Sequence, residues 1–153
     1  MNALAKPVSK LPDVGTTIFT VMSALASEQG ALNLSQGFPD FDGPEPLLQA
    51  VNEHMRSGQN QYPPMAGVAA LREAIAEKVL DLYGLACDAD TEITVTAGAT
   101  EALFCAIAAV VHAGDEVIVL DPAYDSYDPV IRLQGAAPVH VPLLAPTYRI
   151  DWD

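Results

Sequence analysis

Basic residues and cysteine are scarce in this chain, and long apolar runs are missing. Seven Lys and Arg stand against twenty Asp and Glu, giving a formal net charge of −13. A surface of that sign repels the phosphate backbone of nucleic acid and the headgroups of anionic lipid, so neither is expected as a partner. The two cysteines, Cys87 and Cys105, fit no metal-ligand spacing and cannot build a disulfide framework. Both are read as reduced, Cys87 in a loop and Cys105 as a small residue within an apolar helix. His54, His112 and His140 are scattered and are assigned surface or helix-end positions, so no metal site is expected. No apolar run approaches the roughly eighteen residues of a membrane span, and Met1 to Lys10 lacks the hydrophobic core of a signal peptide. The expected compartment is the cytoplasm.

What is present is one ordinary domain's worth of chain: 153 residues, half of them apolar, with no repeat and no low-complexity tract. Residues 1–15, with Pro7, Pro12 and Gly15, read as an extended arm of the kind that packs on a partner subunit. A helix follows from about Thr17 to Gln29. Pro44 and Pro46 can open a second, which Gly58 stops after Ser57. A third runs from about Gly67 to Leu82, with Val68, Leu71, Ile75, Val79 and Leu82 on one face and Gly84 as its C-cap. Beyond residue 126 the pattern gives a helix from Tyr127 to Gln134, ended by Gly135, and a strand from Pro138 to Leu143.

The most informative stretch lies between them. Ile93-Thr94-Val95-Thr96 is β-branched throughout and runs directly into Ala97-Gly98-Ala99-Thr100-Glu101, a strand feeding a helix through small residues. A helix N-terminus offers backbone N–H groups and the positive end of the macrodipole, and small residues let an anion approach the backbone. The same pattern also serves tight packing alone. The helix ends near His112-Ala113-Gly114 and Glu116 to Leu120 forms a second apolar strand, so a βαβ unit with parallel strands is expected across residues 93–120. Ligands in such sheets bind beyond the carboxyl ends of the strands, where Asp121-Pro122-Ala123-Tyr124 sets an aromatic ring. A ring beside a phosphate cradle suits a flat, phosphorylated cofactor, and the place of Tyr124 just after the strand favours that reading over an ordinary core or surface aromatic of the loop. The glycines lack the spacing of a dinucleotide-binding turn.

Four segments in order, Leu34 to Phe41, Asn60 to Gly67, Thr94 to Ala102 and Asp121 to Tyr127, resemble the class I/II pyridoxal-phosphate-dependent aminotransferases of fold type I. Within that family the sequence is most similar to the bacterial methionine aminotransferases and related to the kynurenine and glutamine-phenylpyruvate enzymes. The resemblance implies an α/β fold, the N-terminal portion of the fold type I transferases, with a mostly parallel sheet flanked by helices. It implies an arm and small-domain segment at 1–45 and the first part of the large cofactor-binding domain at 46–153. Pyridoxal 5′-phosphate is the implied cofactor, with its phosphate held at Gly98, Ala99 and Thr100 and its ring stacked on Tyr124. Tyr62 corresponds to the tyrosine that crosses a homodimer interface to the partner's phosphate. Gly37 corresponds to the glycine beside the substrate carboxylate, and Ile18 and Phe19 to positions lining the side-chain pocket, although a core role suits either as well.

The implied activity moves an amino group from methionine or another apolar or aromatic amino acid to a 2-oxo acid. The family's Schiff-base lysine has no counterpart here. Lys6, Lys10 and Lys78 match no part of that motif, and Arg56, Arg72, Arg132 and Arg149 match no carboxylate clamp. The chain thus reads as the first two-fifths or so of such a protein, inactive by itself. Two other readings stand beside it: a β-eliminating carbon–sulfur lyase of the same fold, and a non-catalytic phosphate-binding module.

Overall fold

The computed structural model describes residues 7–37 and 39–152; Lys6 with the rest of the first six residues, Phe38 and Asp153 lie outside the described residues. The chain divides into two compact units, one made of the segments up to Gln36 and from Gly98 onward, the other of Gly37–Ala97.

In the first unit, helix α1 (Ile18–Glu28) begins where Thr17 takes an extended backbone and its side chain accepts from the Thr20 N–H. That is the usual way a threonine satisfies an otherwise unpaired first-turn donor. After the 31–36 segment, this unit resumes at α4 (Gly98–Val110), followed by β1 (Glu116–Asp121), α5 (Tyr127–Leu133) and β2 (Ala137–Pro142). The strands are parallel and paired from Glu116–Ala137 to Asp121–Pro142. Alternation along that register gives the pair two different faces. Val117, Val119 and Asp121 share one face with Pro138, His140 and Pro142, and α5 packs there. Val119, Ile131 and Ala136 form the buried cluster, ringed by Ile107, Val111, Val117 and Tyr127. Ile131, 1 % exposed, is its centre, and burying such a side chain contributes about 1.5–3 kcal/mol. The other face carries Ile118, Leu120, Val139 and Val141. It is open, with Ile118 70 % exposed.

The second unit holds α2 (Glu45–Arg56), with prolines at Pro44 and Pro46, and α3 (Ala69–Tyr83), which Gly84 ends at φ +67°. Arg72 of α3 binds the Ala89 carbonyl, the Asp90 carboxylate at 3.0 Å and the Gly67 carbonyl at 3.3 Å. Its place is therefore structural.

One expected element differs. Among the described residues the sheet has two strands, and Ile93–Thr96 belongs to neither. The β-branched run is tied by one backbone hydrogen bond, from the Val95 N–H to the Ala66 carbonyl at 3.0 Å. A strand is a paired state, and β-branched composition does not by itself supply the neighbouring ladder. The expected βαβ unit over 93–120 is thus replaced by the unit β1–α5–β2, one element further along.

Candidate functional site

Site geometry begins at Gly98. Its φ of +83° is a conformation that side chains rarely adopt, and a Cβ built there would meet no atom within 4 Å. Glycine is required for the turn, and the space in front of it is open. Ala99 and Thr100 complete the first turn of α4. On the neighbouring side β1 ends at Asp121, a cis peptide joins it to Pro122, and the chain turns through Tyr124 into α5. This turn brings the Tyr124 hydroxyl to 3.4 Å from Thr100 Oγ1, a long contact for two hydroxyls. Thr100 foremost, then Ser126, holds the Tyr124 phenol below its ordinary pKa. Tyr127 meets Tyr124 edge to face, with centroids 5.8 Å apart and planes at 78°. That fixes one edge of the Tyr124 ring and leaves it 43 % exposed.

The structure therefore brings together Gly98, Ala99, Thr100 and Tyr124. Tyr62 and Gly37 belong to the other unit. Tyr62 is 99 % exposed beside its two prolines, and Gly37 has open space where a Cβ would stand. Ile18 and Phe19 are exposed on the first turn of α1 and neither is a core residue. The apolar groove of that region, about 340 Å³, is lined instead by Met22, Leu25, Leu32 and Leu34 among others. Sequence patterning assigned His140 to the surface, and it is exposed, but its partners were missed: it bridges two carboxylates, Asp121 and Asp128, through its two ring nitrogens. The strand period alone could have placed His140 on the α5 side of β2, but only the register supplies its partners.

These features fit an anionic, flat group: the N-terminus of a thirteen-residue helix, a hydroxyl, an open approach at Gly98 and an exposed ring alongside. The α/β architecture is that of the fold type I transferases, a class of enzymes that work with pyridoxal phosphate. A crystal structure of YbdL from Escherichia coli, described with a methionine aminotransferase function, matches 97 % of this chain and 39 % of its own, with TM-score 0.91 and 59 % identity. The chain belongs to the aminotransferase class I and II family, whose model matches residues 29–153. Methionine aminotransferase of Escherichia coli is 60 % identical over 147 residues, 96 % of this chain and 38 % of that enzyme. The probable N-succinyldiaminopimelate aminotransferase DapC of Mycobacterium tuberculosis is 50 % identical over 137 residues, 90 % of this chain and 34 % of its own length. The chain thus spans well under half the length of the curated relatives it matches. Among the described residues no helix is long and apolar enough to cross a membrane.

Proposed function

We propose that these 153 residues are the N-terminal portion of a pyridoxal-phosphate-dependent aminotransferase that acts on methionine or another apolar or aromatic amino acid, with a 2-oxo acid as acceptor. The observation that carries this reading is the Thr100–Tyr124 juxtaposition, which sets an exposed ring beside the N-terminus of α4 in a chain of this family. The 60 % identity to a methionine aminotransferase supports the donor class. Residues 1–45 are assigned to the arm and small domain, and 46–153 to the opening of the large domain.

The roles follow from the chemistry of each group. Gly98 and Ala99 let the cofactor phosphate reach the first-turn N–H groups, and Thr100 adds a hydroxyl donor. Tyr124 covers one face of the ring, so the cofactor is held at both ends in one orientation and water is kept from that face. When bound, pyridoxal phosphate supplies the electron sink that makes an amino acid's Cα proton removable. Gly37 admits the substrate carboxylate, and Ile18 and Phe19 face its side chain. Tyr62 serves the phosphate of a partner subunit in a homodimer, located in the cytoplasm. The lysine that binds the cofactor covalently and moves the proton is supplied from outside these residues, so the chain by itself is inactive.

The test is made on the protein that carries this chain in full length. Its visible absorbance should change on adding methionine, and methionine should yield its 2-oxo acid only when an acceptor oxo acid is present. Pyruvate and ammonia released from a cysteine conjugate without an acceptor would replace transamination with elimination. Tyr124→Ala should weaken cofactor binding roughly fivefold, the worth of one aromatic contact. An unchanged affinity would remove Tyr124 from the site.

A further inference from the structure

Asp121 closes β1 and Asp128 lies in the first turn of α5, so two carboxylates stand at the two ends of the loop that carries Tyr124. One imidazole grips both. His140 Nδ1 lies 3.0 Å and 3.1 Å from the two Asp121 oxygens, and Nε2 lies 3.0 Å from Asp128 Oδ1. The strand register puts His140 opposite Val119, on the face that receives α5.

An ionised carboxylate only accepts hydrogen bonds, so both contacts form together only when both ring nitrogens carry a proton. A neutral imidazole has one N–H; its other nitrogen then faces a carboxylate with a lone pair. The groups facing this ring are Asp121 from β1 and Asp128 from α5. Beyond Asp128 lies the Arg132 guanidinium, 3.7 Å from it and itself bound to Asp13. Among the described residues no group of three or more His, Cys, Asp or Glu could hold a metal ion, which leaves a purely ionic clamp.

We propose that His140 is a positioning residue: by binding Asp121 and Asp128 at once it ties both ends of the 122–126 loop and fixes the Tyr124 ring beside the N-terminus of α4. This role toward the cofactor rests on the reading of Tyr124 given above. The clamp is switched by protonation. Asp121 first, and then Asp128, raise the His140 pKa above its ordinary 6.5. A group raised in the folded state contributes fully below its unfolded value and loses its contribution as pH rises through the folded one. The loop is therefore held at both ends below about pH 6.5 and at one end above the raised value. Because all three side chains are partly exposed, salt also weakens the clamp.

The test follows amide hydrogen exchange of residues 123–126 in the full-length protein that carries this chain across pH 5.5–9, corrected for intrinsic exchange, with His140 titrated by NMR. In parallel, affinity for pyridoxamine 5′-phosphate is measured; its amine cannot form Schiff bases with Lys6, Lys10 or Lys78. Loop protection should fall as His140 loses its proton, while β1 and the core residues of α5 keep theirs. Affinity should fall roughly three- to tenfold over the same range, in proportion to the ordered fraction of the loop. His140→Phe should show the loosened loop at every pH and a flat profile. Asp128→Asn, which leaves the ring in place, should lower the His140 pKa and move the loop transition with it. A loop profile flat in the unsubstituted chain, or unchanged by Asp128→Asn, overturns the clamp. A loosened loop with unchanged affinity overturns the positioning role. Failure of the unsubstituted full-length protein to bind the probe overturns the reading of Tyr124 and its cofactor role, while the exchange profile still decides whether His140 holds the loop.

Discussion

Two glycines drawn from the family-like segments part company once their surroundings are known. Gly67 sits at φ +100°, and a Cβ there would lie 2.6 Å from Val95 Cγ2 and 2.8 Å from Val95 Cβ. Turning the Val95 side chain relieves the first clash but not the second, and the Ala66–Val95 backbone bond holds the segments together. Gly67→Ala therefore combines backbone strain with overpacking and should cost about 3 kcal/mol, read as a shift of the denaturation midpoint at constant slope. Gly37 has nothing within 4 Å of a built Cβ and no left-handed backbone. Gly37→Ala should leave the midpoint where it was, and in the full-length enzyme it should raise the KM for the amino donor. Sequence reading singled out both as members of motifs. It could not separate them, because the collision with Val95 is a tertiary fact between residues twenty-eight apart in sequence. Thr100 and Tyr124, by contrast, were legible as a pair because each marks an element end, where local patterning is most explicit.

At the scale of elements, boundaries followed local chemistry closely. Thr17 caps α1, Pro44 and Pro46 open α2, and Gly84 ends α3 as their residue types demand. What failed was pairing: residues 93–96 have the composition of a strand but no place in the two-stranded sheet. Helix ends are written in neighbours along the chain, while ladders depend on segments far away. The arm shows the same dependence. Asp13 accepts from Arg132 Nη2 with both oxygens, at 2.7 and 2.8 Å, tying the 7–17 segment to α5 of its own chain. Arg132 holds the Asp13 carboxyl below its ordinary 3.8, so this tie is complete above that value and is lost as pH falls through the lowered folded one. Asp13→Asn should release the arm at pH 7, seen as faster tryptic cleavage after Lys10 with β1 and β2 unaffected. Cleavage at the original rate would mean that Leu11, half-buried nearby, anchors the arm without the ion pair.

Across the whole molecule, charge and apolar exposure oppose each other. A net charge of −13 disfavours association, yet the first unit leaves much of one face of its parallel pair open beside Ile150 and Trp152, with Ile118, Leu120 and Val139 among its exposed side chains. Parallel strands are ordinarily covered on both sides, which is why β1 reads as a continuous apolar run and not as an alternating one. In this chain α5, with Ile107 and Val111, covers the Val117–Val119 side. At low ionic strength, repulsion between like-charged chains should keep the 153-residue protein dispersed; salt screens that repulsion within about 8 Å at 0.15 M and strengthens apolar contact. Static light scattering should therefore show self-association that grows with salt, opposite to the behaviour of an ion-paired complex. The double substitution Ile118→Thr and Leu120→Thr should suppress that growth. It removes apolar surface from the open face while keeping β-branched residues in the strand and leaving Val119 and Ile131 packed. If association instead declines with salt, its cause is charge pairing, and the open face of β1 and β2 is not what drives it.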